Sequence, residues 1–329
     1  MIITKTPFRI SFVGGGSDLE AFYSRHPGAV LSTSINRYMY ISSHRYFEPD
    51  KVRVKYSQTE TVDHVSELQH PILRVVLEKF GMNGIEVSSI SDIPGGTGMG
   101  SSSSFTVGLL HNLYVVNGKF VSKEQLADEA CHIEIDLLKE PIGKQDQYAA
   151  AFGGLNIFRF HANGNVAVEP LYLQKEIYST LENNLVMFYL GSQRKASDIL
   201  SEQKKNTSSS DDKFNSLKQM VGLVDELRDC LYAGRLGDFG KILHENWILK
   251  QQLASSISNN EMNEIYDVAL ANGATGGKLL GAGGGGFMLF YCEKEKQPQL
   301  CRALNKLRKF DFRFDNEGSK LIYYGQEEF

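Results

Sequence analysis

Three glycine clusters punctuate the chain, and the middle one constrains it most. Ile93 to Ser104 reads Ile-Pro-Gly-Gly-Thr-Gly-Met-Gly-Ser-Ser-Ser-Ser. Glycine at 95, 96, 98 and 100 strips side chains from a turn, so backbone can come close to a ligand and aim its N–H groups at it. Ser101 to Ser104 supply a cap and hydroxyls, and Phe105 onward continues with a buried-helix pattern. A glycine turn that opens a helix gathers free N–H donors at the positive end of the helix dipole, which is a site for anions and most often for phosphate. It is not a Walker A loop, because no lysine lies between Asp92 and Gly118. Nor is it the dinucleotide fingerprint, because Gly96-x-Gly98-x-Gly100 lacks the final x-x-Gly step.

The other two clusters lie at similar junctions. Ile2 to Val13 alternates like a strand and runs into Gly14-Gly15-Gly16-Ser17-Asp18. There Ser17 or Asp18 can cap a helix over 19–24, and Asp18 can equally serve a ligand. Gly276 to Gly286 runs straight into an apolar strand, Phe287 to Cys292.

Between them, strands are expected over 29–47, 52–56, 84–91, 155–161 and 166–173, and helices over 70–80, 105–116 and 123–139. Ser122 caps the last of these helices and Pro141 stops it. A loop then leads into a short helix closed by Gly153. After Asn183-Asn184 comes a buried strand, Leu185 to Leu190, and the domain boundary falls there: 1–183 and 184–329. The polar stretch that follows is expected to be mobile at Asn206 to Ser210. Helices are expected over 213–230, 236–252, 260–272 and 298–310, with Phe312–Phe314 and Lys320–Tyr324 closing the second sheet. The pattern gives an antiparallel, strand-rich first half and an α+β second half with helices on one face of a sheet.

Composition closes off other classes. A formal charge of -4, with no basic stripe and interleaved aromatics, gives no reason to expect nucleic acid. Cys131, Cys230, Cys292 and Cys301 are scattered without a C-x-x-C, as in a reduced intracellular protein. No run of about 18 apolar residues and no signal-peptide pattern is present, so a cytoplasmic chain without a membrane segment is expected.

Taken in order, the three clusters resemble the three motifs of the GHMP kinase superfamily, which includes galactokinase, homoserine kinase and mevalonate kinase. They are Pro7 to Leu19, Pro94 to Ser104, and Lys278 to Gly286 with its following strand. Within the superfamily, Arg9-Ile-Ser-Phe-Val-Gly-Gly-Gly-Ser-Asp18 and Glu140-Pro-Ile-Gly-Lys-Gln-Asp-Gln-Tyr148 are similar to the D-glycero-D-manno-heptose 7-phosphate kinases. The resemblance implies a first domain like ribosomal protein S5 domain 2, a ferredoxin-like second domain, and a cleft between them holding ATP and sugar. It implies phosphate transfer from ATP to the anomeric hydroxyl of the heptose 7-phosphate, giving the 1,7-bisphosphate on the way to GDP-heptose and surface glycans. Fucose or another hexose is the alternative acceptor, and a non-catalytic ATP and sugar sensor the alternative class. A monomer or homodimer is expected.

The same resemblance assigns residues. Pro94, Gly95, Gly96, Thr97, Gly98, Met99, Gly100, Ser101, Ser102 and Ser103 would cradle the ATP phosphates. Ser102 and Glu134 would hold Mg²⁺, with Asp136 as the fallback for Glu134. Asp146 would accept the proton of the sugar's C1 hydroxyl, with Arg9 beside it. Arg9 lies inside an apolar strand pattern and needs a buried partner in any case. Asp18, with Gly15, Gly16 and Ser17, would meet the sugar, as would Gln147. Galactokinases carry Glu-His where this chain has Gly15-Gly16, which argues against galactose. Lys144, Arg194 and Lys195 are candidates for the sugar's own phosphate or simply solvated charges. Gly283 and Gly284 either approach the ligands or pack against a neighbouring strand.

Overall fold

The computed structural model describes residues 1–191 and 196–325. In chain order, β1 (Ile2–Val13) ends in the first glycine turn and a single helical turn, α1 (Glu20–Tyr23). There follow β2 (Gly28–Arg45), β3 (Val52–Lys55), β4 (Thr59–Val62), α2 (Pro71–Lys79), β5 (Ile85–Ser91), and α3 (Ser101–Val116) after the second glycine turn. Next come α4 (Lys123–Cys131), α5 (Gln145–Phe152), β6 (Leu155–Phe160), β7 (Val166–Pro170) and α6 (Lys175–Asn184). The remainder is β8 (Leu185–Tyr189), α7 (Ala196–Ser209), α8 (Asp211–Tyr232), α9 (Leu236–Gln251), α10 (Asn260–Ala271), β9 (Ala274–Leu279), β10 (Phe287–Cys292), α11 (Gln297–Ala303), β11 (Arg308–Phe310), β12 (Phe314–Asp315) and β13 (Lys320–Tyr324).

Two sheets organise the described residues. The larger runs β13-β1-β2-β5-β3-β4, with β6 and β7 extending from the first part of β2 and β12 also paired to it. It is antiparallel apart from the β3–β5 pair. The smaller has the order β11-β8-β10-β9, antiparallel throughout. That order, with helices between the first and second strands and between the third and fourth, is the ferredoxin-like split β-α-β arrangement. Both domain types implied by the resemblance are therefore α+β, as expected.

The sheets are not separate bodies. One apolar cluster runs from Phe8, Phe12 and Leu31 of the first sheet through Leu223 and Phe239 to Leu289 and Tyr291 of the second. The Phe12 and Phe239 rings meet edge-on at 5.3 Å. A second cluster around Trp247, Phe188 and Phe290 fills the space under α9 and α10.

Several expectations fail for reasons of packing. Phe314–Asp315 and Lys320–Tyr324 do not close the second sheet but return to pair with β2 and β1 of the first. The segment 298–310 splits, its helix ending at Ala303 and residues 308–310 joining β8 as a strand. Gly276 and Gly277 lie inside β9 rather than in a loop, because glycine lets Gly240 of α9 and the Phe290 ring lie against the strand. Asn206 to Ser209 are the end of α7, held by Asn206 Nδ2 donating to the Leu253 carbonyl at 2.9 Å and by a buried Thr207. The helix from 123 is α-helical only to Cys131, with its cap at Ser122 as expected, and widens to a π-helix over His132–Leu137. Neither Ser17 nor Asp18 caps α1, whose N-cap is Leu19 with no side-chain bond.

Candidate active site

Arg9 is delivered by β1, between Phe8 and Ile10 of the core, and is 4% exposed. A guanidinium that deep must spend its N–H groups on partners. Its Nε and Nη2 donate to Oδ1 and Oδ2 of Asp146, both at 2.7 Å, and Nη1 donates to the Gly98 carbonyl at 2.6 Å. Asp146 stands in the first turn of α5, where the helix dipole favours a carboxylate. Gly100 is the N-cap of α3 with φ of +75°, and a Cβ there would meet Asp146 Oδ2 at 3.2 Å. Glycine at 100 thus serves both the left-handed turn and the space beside the carboxylate.

The turn it closes is open for a ligand. No side chain caps α3, so the N–H groups at the start of this 16-residue helix face the cleft. Gly96, Gly98, Gly100, Ser101, Ser102 and Ser103 line the cavity there. Thr97 and Met99 are fully buried and do not line it, and Pro94 and Gly95 lie exposed outside it. Behind the loop sits Glu134, carried inward on the π-turn and 0% exposed. Ser102 Oγ and Ser103 Oγ donate to its two oxygens at 2.5 and 2.9 Å, and Gln147 Nε2 donates at 2.7 Å. Burial raises the Glu134 carboxyl's pKa, against the pull of those three donors. Asp136 is turned out, its side chain 63% exposed and bonded to His132.

Across the cavity, Asp18 is 3% exposed. Its Oδ1 accepts from Gly16 N at 2.9 Å and Gln145 Nε2 at 3.1 Å, and its Oδ2 accepts from Gln145 N at 3.2 Å. Its pKa is raised, first by burial and then by the charge of Asp146. Gly15 and Gly16 line the cavity beside it. Ser17 points the other way: its hydroxyl donates to the Ala29 carbonyl and accepts from Ala29 N. Gln147, expected at the sugar, is 0% exposed and braces Glu134 instead. The Lys144 ammonium donates to the Gly164 carbonyl at 2.7 Å and lines a separate hollow with Tyr23 and Asp128. Gly283 and Gly284 lie against Ile257, with Gly284 N donating to its carbonyl at 3.0 Å, and line no part of the cavity. Arg194 and Lys195 lie outside the described residues.

The third glycine cluster instead clamps the second. A Cβ on Gly281 would sit 2.3 Å from Gly98 Cα, and one on Gly98 2.5 Å from the Leu280 carbonyl oxygen. Only glycine on both sides allows that approach. The clamp, with Leu200 and Gln203 of α7 and Lys250 of α9, closes a cavity of about 330 Å³ over Arg9, Asp18 and Asp146.

Three of these side chains were missed in the sequence. Gln145 sits between two residues that were chosen. Gln203 is 2% exposed and its Nε2, like Gln145 Oε1, has no hydrogen-bond partner among the described residues. Lys250 is 4% exposed, and a signal for it existed: it continues the buried stripe Phe239, Leu243, Asn246, Trp247 of α9.

The family model described as GHMP kinases N terminal domain matches residues 67–154, and the one described as GHMP kinases C terminal matches residues 227–309. A D-glycero-alpha-D-manno-heptose 7-phosphate kinase of Campylobacter jejuni is 31% identical over 97% of this chain and 98% of its own. A bifunctional fucokinase/GDP-fucose pyrophosphorylase of Arabidopsis thaliana is 26% identical over 94% of this chain and 32% of its own. Among solved structures, a D-glycero-D-manno-heptose 1-phosphate kinase of Bacteroides thetaiotaomicron superposes with a TM-score of 0.81 at 23% identity, over 99% of this chain and 100% of that one. A solved structure from Campylobacter jejuni gives 0.77 at 28% identity, over 98% of each chain.

Proposed function

Because the chain belongs to the GHMP kinases and is an ATP-dependent sugar kinase, we propose that its acceptor is the anomeric hydroxyl of D-glycero-D-manno-heptose 7-phosphate. The carrying observation is the facing pair in one cavity: Asp146 locked by Arg9 on one side, and on the other Asp18 with Gln145 Oε1 and Gln203 Nε2, which have no partner among the described residues. A polyol offers many donors and acceptors, and a buried amide oxygen and a buried amide nitrogen without partners suit it.

In this reading the second glycine loop cradles the ATP phosphates, and the sugar stands between Asp18 and Asp146. The C1 oxygen forms a bond to the γ-phosphorus as the bond to the β-phosphate oxygen breaks. ADP leaves, and Asp146 receives the hydroxyl proton. Arg9 fixes the carboxylate's two oxygens and so its orientation. The residues fit Mg²⁺ as well: Ser102 stands on the cavity wall with the Glu134 carboxylate bonded directly behind it, a hard-oxygen pair of the kind Mg²⁺ shares with phosphates. When bound, the ion would neutralise phosphate charge. Arg194 and Lys195, which follow β8 in sequence, are our proposed holders of the sugar's own phosphate.

The test is a coupled ADP-release assay across heptose 7-phosphate, free heptose, mannose 6-phosphate, fucose and galactose. The largest kcat/KM is expected for heptose 7-phosphate, with loss of the reducing end in the product. A larger value for fucose or a hexose would move the assignment to that sugar. No turnover with any of them would favour a sensor.

A further inference from the structure

The glycine loop has no lysine, yet it faces the most highly charged part of the nucleotide. Arg9 does not supply a free charge there. Its Nε, Nη1 and Nη2 are all engaged, and its charge is matched by Asp146. Lys278 of the third motif is fully buried, but its ammonium is taken up by the carbonyls of Ser11 and Phe12 at 2.7 and 3.0 Å, and it does not line the cavity.

Lys250 differs on each count. It lines the cavity, it is 4% exposed, and among the described residues its ammonium donates to a single acceptor, the Gly281 carbonyl. No carboxylate of the described residues pairs with it, although Asp18 and Asp146 are close enough to act on it through their charge. An ammonium carries three N–H groups, so its donor capacity is not filled. Holding such a cation inside a fold costs several kcal/mol unless an anion meets it. Its one anchor also fixes where that anion comes. Gly281 lies backbone to backbone with Gly98 of the phosphate loop, and Gly98 is the residue whose carbonyl holds Arg9. The cations of β1 and α9 therefore converge on neighbouring glycines at the mouth of α3.

We propose that Lys250 contacts the transferring phosphoryl group of the nucleoside triphosphate and is a catalytic residue, taking the part of the lysine that the glycine loop lacks. It keeps its proton throughout. It balances the charge on the phosphoryl oxygens as the γ-phosphorus passes to the sugar oxygen and the proton passes to Asp146. The inference rests on the second glycine loop being the phosphate cradle and does not depend on which sugar is the acceptor.

Calorimetric titration tests it without turnover, using ADP and the β,γ-imido analogue of ATP, each with MgCl₂. In K250M, affinity for the analogue should fall about tenfold or more, the scale of one charge-assisted hydrogen bond, while affinity for ADP is unchanged. K250R should retain most of the analogue's affinity and remains informative if K250M fails to fold. In turnover, K250M should lose about a hundredfold or more in kcat. Equal weakening of ADP and analogue, no weakening of either, or a rise confined to the sugar's KM would each overturn the role. Failure of the wild-type chain to bind either nucleotide would instead refute the cradle, and Lys250's role with it.

Discussion

The Arg9–Asp146 pair makes a quantitative prediction, because its two members are unequally buried. The Arg9 side chain is 5% exposed and that of Asp146 is 23% exposed. In D146N one carboxylate oxygen becomes an amide whose hydrogens face a guanidinium N–H. Arg9 then stays buried with one neutral acceptor from residue 146 and the Gly98 carbonyl. Removing one partner of a buried pair costs about 3–5 kcal/mol, and the cavity's access to water puts this case near 3. R9M is milder. The stranded carboxylate can be hydrated from the cavity and lies in the first turn of α5, so about 1–2 kcal/mol is expected, chiefly for lost hydrogen bonds.

In the double variant neither charge is stranded, so it should cost about 2 kcal/mol rather than the sum of about 4–5. That leaves a coupling energy of about 2–3 kcal/mol. Urea unfolding followed by the fluorescence of Trp247, the chain's only tryptophan and 1% exposed, measures all four corners of the cycle, with far-UV circular dichroism as a check on coincidence. Additivity within about 0.5 kcal/mol would mean that the two side chains do not hold each other, and the account of Arg9 as the clamp on Asp146 would fail. Turnover is a separate readout. D146N should lose two to four orders of magnitude in kcat while still binding ADP, and a near-normal kcat would remove Asp146 from proton transfer.

Ser102→Ala removes one of the three donors on Glu134 and a proposed Mg²⁺ ligand, so the Mg²⁺ concentration for half-maximal activity should rise several-fold; an unchanged Mg²⁺ titration would refute that assignment. Burial, and then the Arg9 charge, lower the pKa of Lys250 from the ordinary 10.5 to about 8, so between those values the unfolded chain binds more protons than the folded one. Stability relative to K250M should therefore rise from pH 8 to 10.5, by on the order of 3 kcal/mol, and urea midpoints that stay parallel across that range would contradict the burial of a charged ammonium. Gln203→Leu should raise KM for the sugar several-fold with KM for ATP unchanged, and an equal rise in both would place Gln203 outside the acceptor site.

The glycine clusters and the buried Arg9 were legible because they are locally forced. A run of glycines at positive φ has few explanations, and an arginine inside an apolar strand must have a buried partner. Neighbours of those residues were legible in position but not in direction. Lys144, Gln145, Asp146 and Gln147 are consecutive, and successive residues of a helix point about 100° apart. Asp146 and Gln145 consequently face the cavity, while Gln147 turns in to Glu134 and Lys144 turns away to Gly164. Strand destinations were hidden for another reason. The apolar content of 320–324 marks a strand, but its pairing with β1, more than 300 residues upstream, depends on which edge is open once everything else has folded.

The two ends of the cleft are built from different material, and this bears on what such a sequence can disclose. At the phosphate loop the structure is backbone against backbone. Gly98 meets Gly281 and the Leu280 carbonyl, Gly286 faces Thr97, and Lys278 ties β9 to the carbonyls of β1. No side chain other than hydrogen fits at those glycines, so the proposed phosphate-binding end is written as a motif. At the proposed acceptor end the wall is side chains: Gln203 of α7 beside Gly16, and Gln145 against Asp18. Exchange of one such side chain would alter the acceptor and leave the phosphate cradle standing. The reaction type follows from the part that cannot vary, and the sugar from the part that can. For that reason variants of Gln203 and Gln145, rather than further glycine substitutions, are the ones that discriminate heptose 7-phosphate from a hexose.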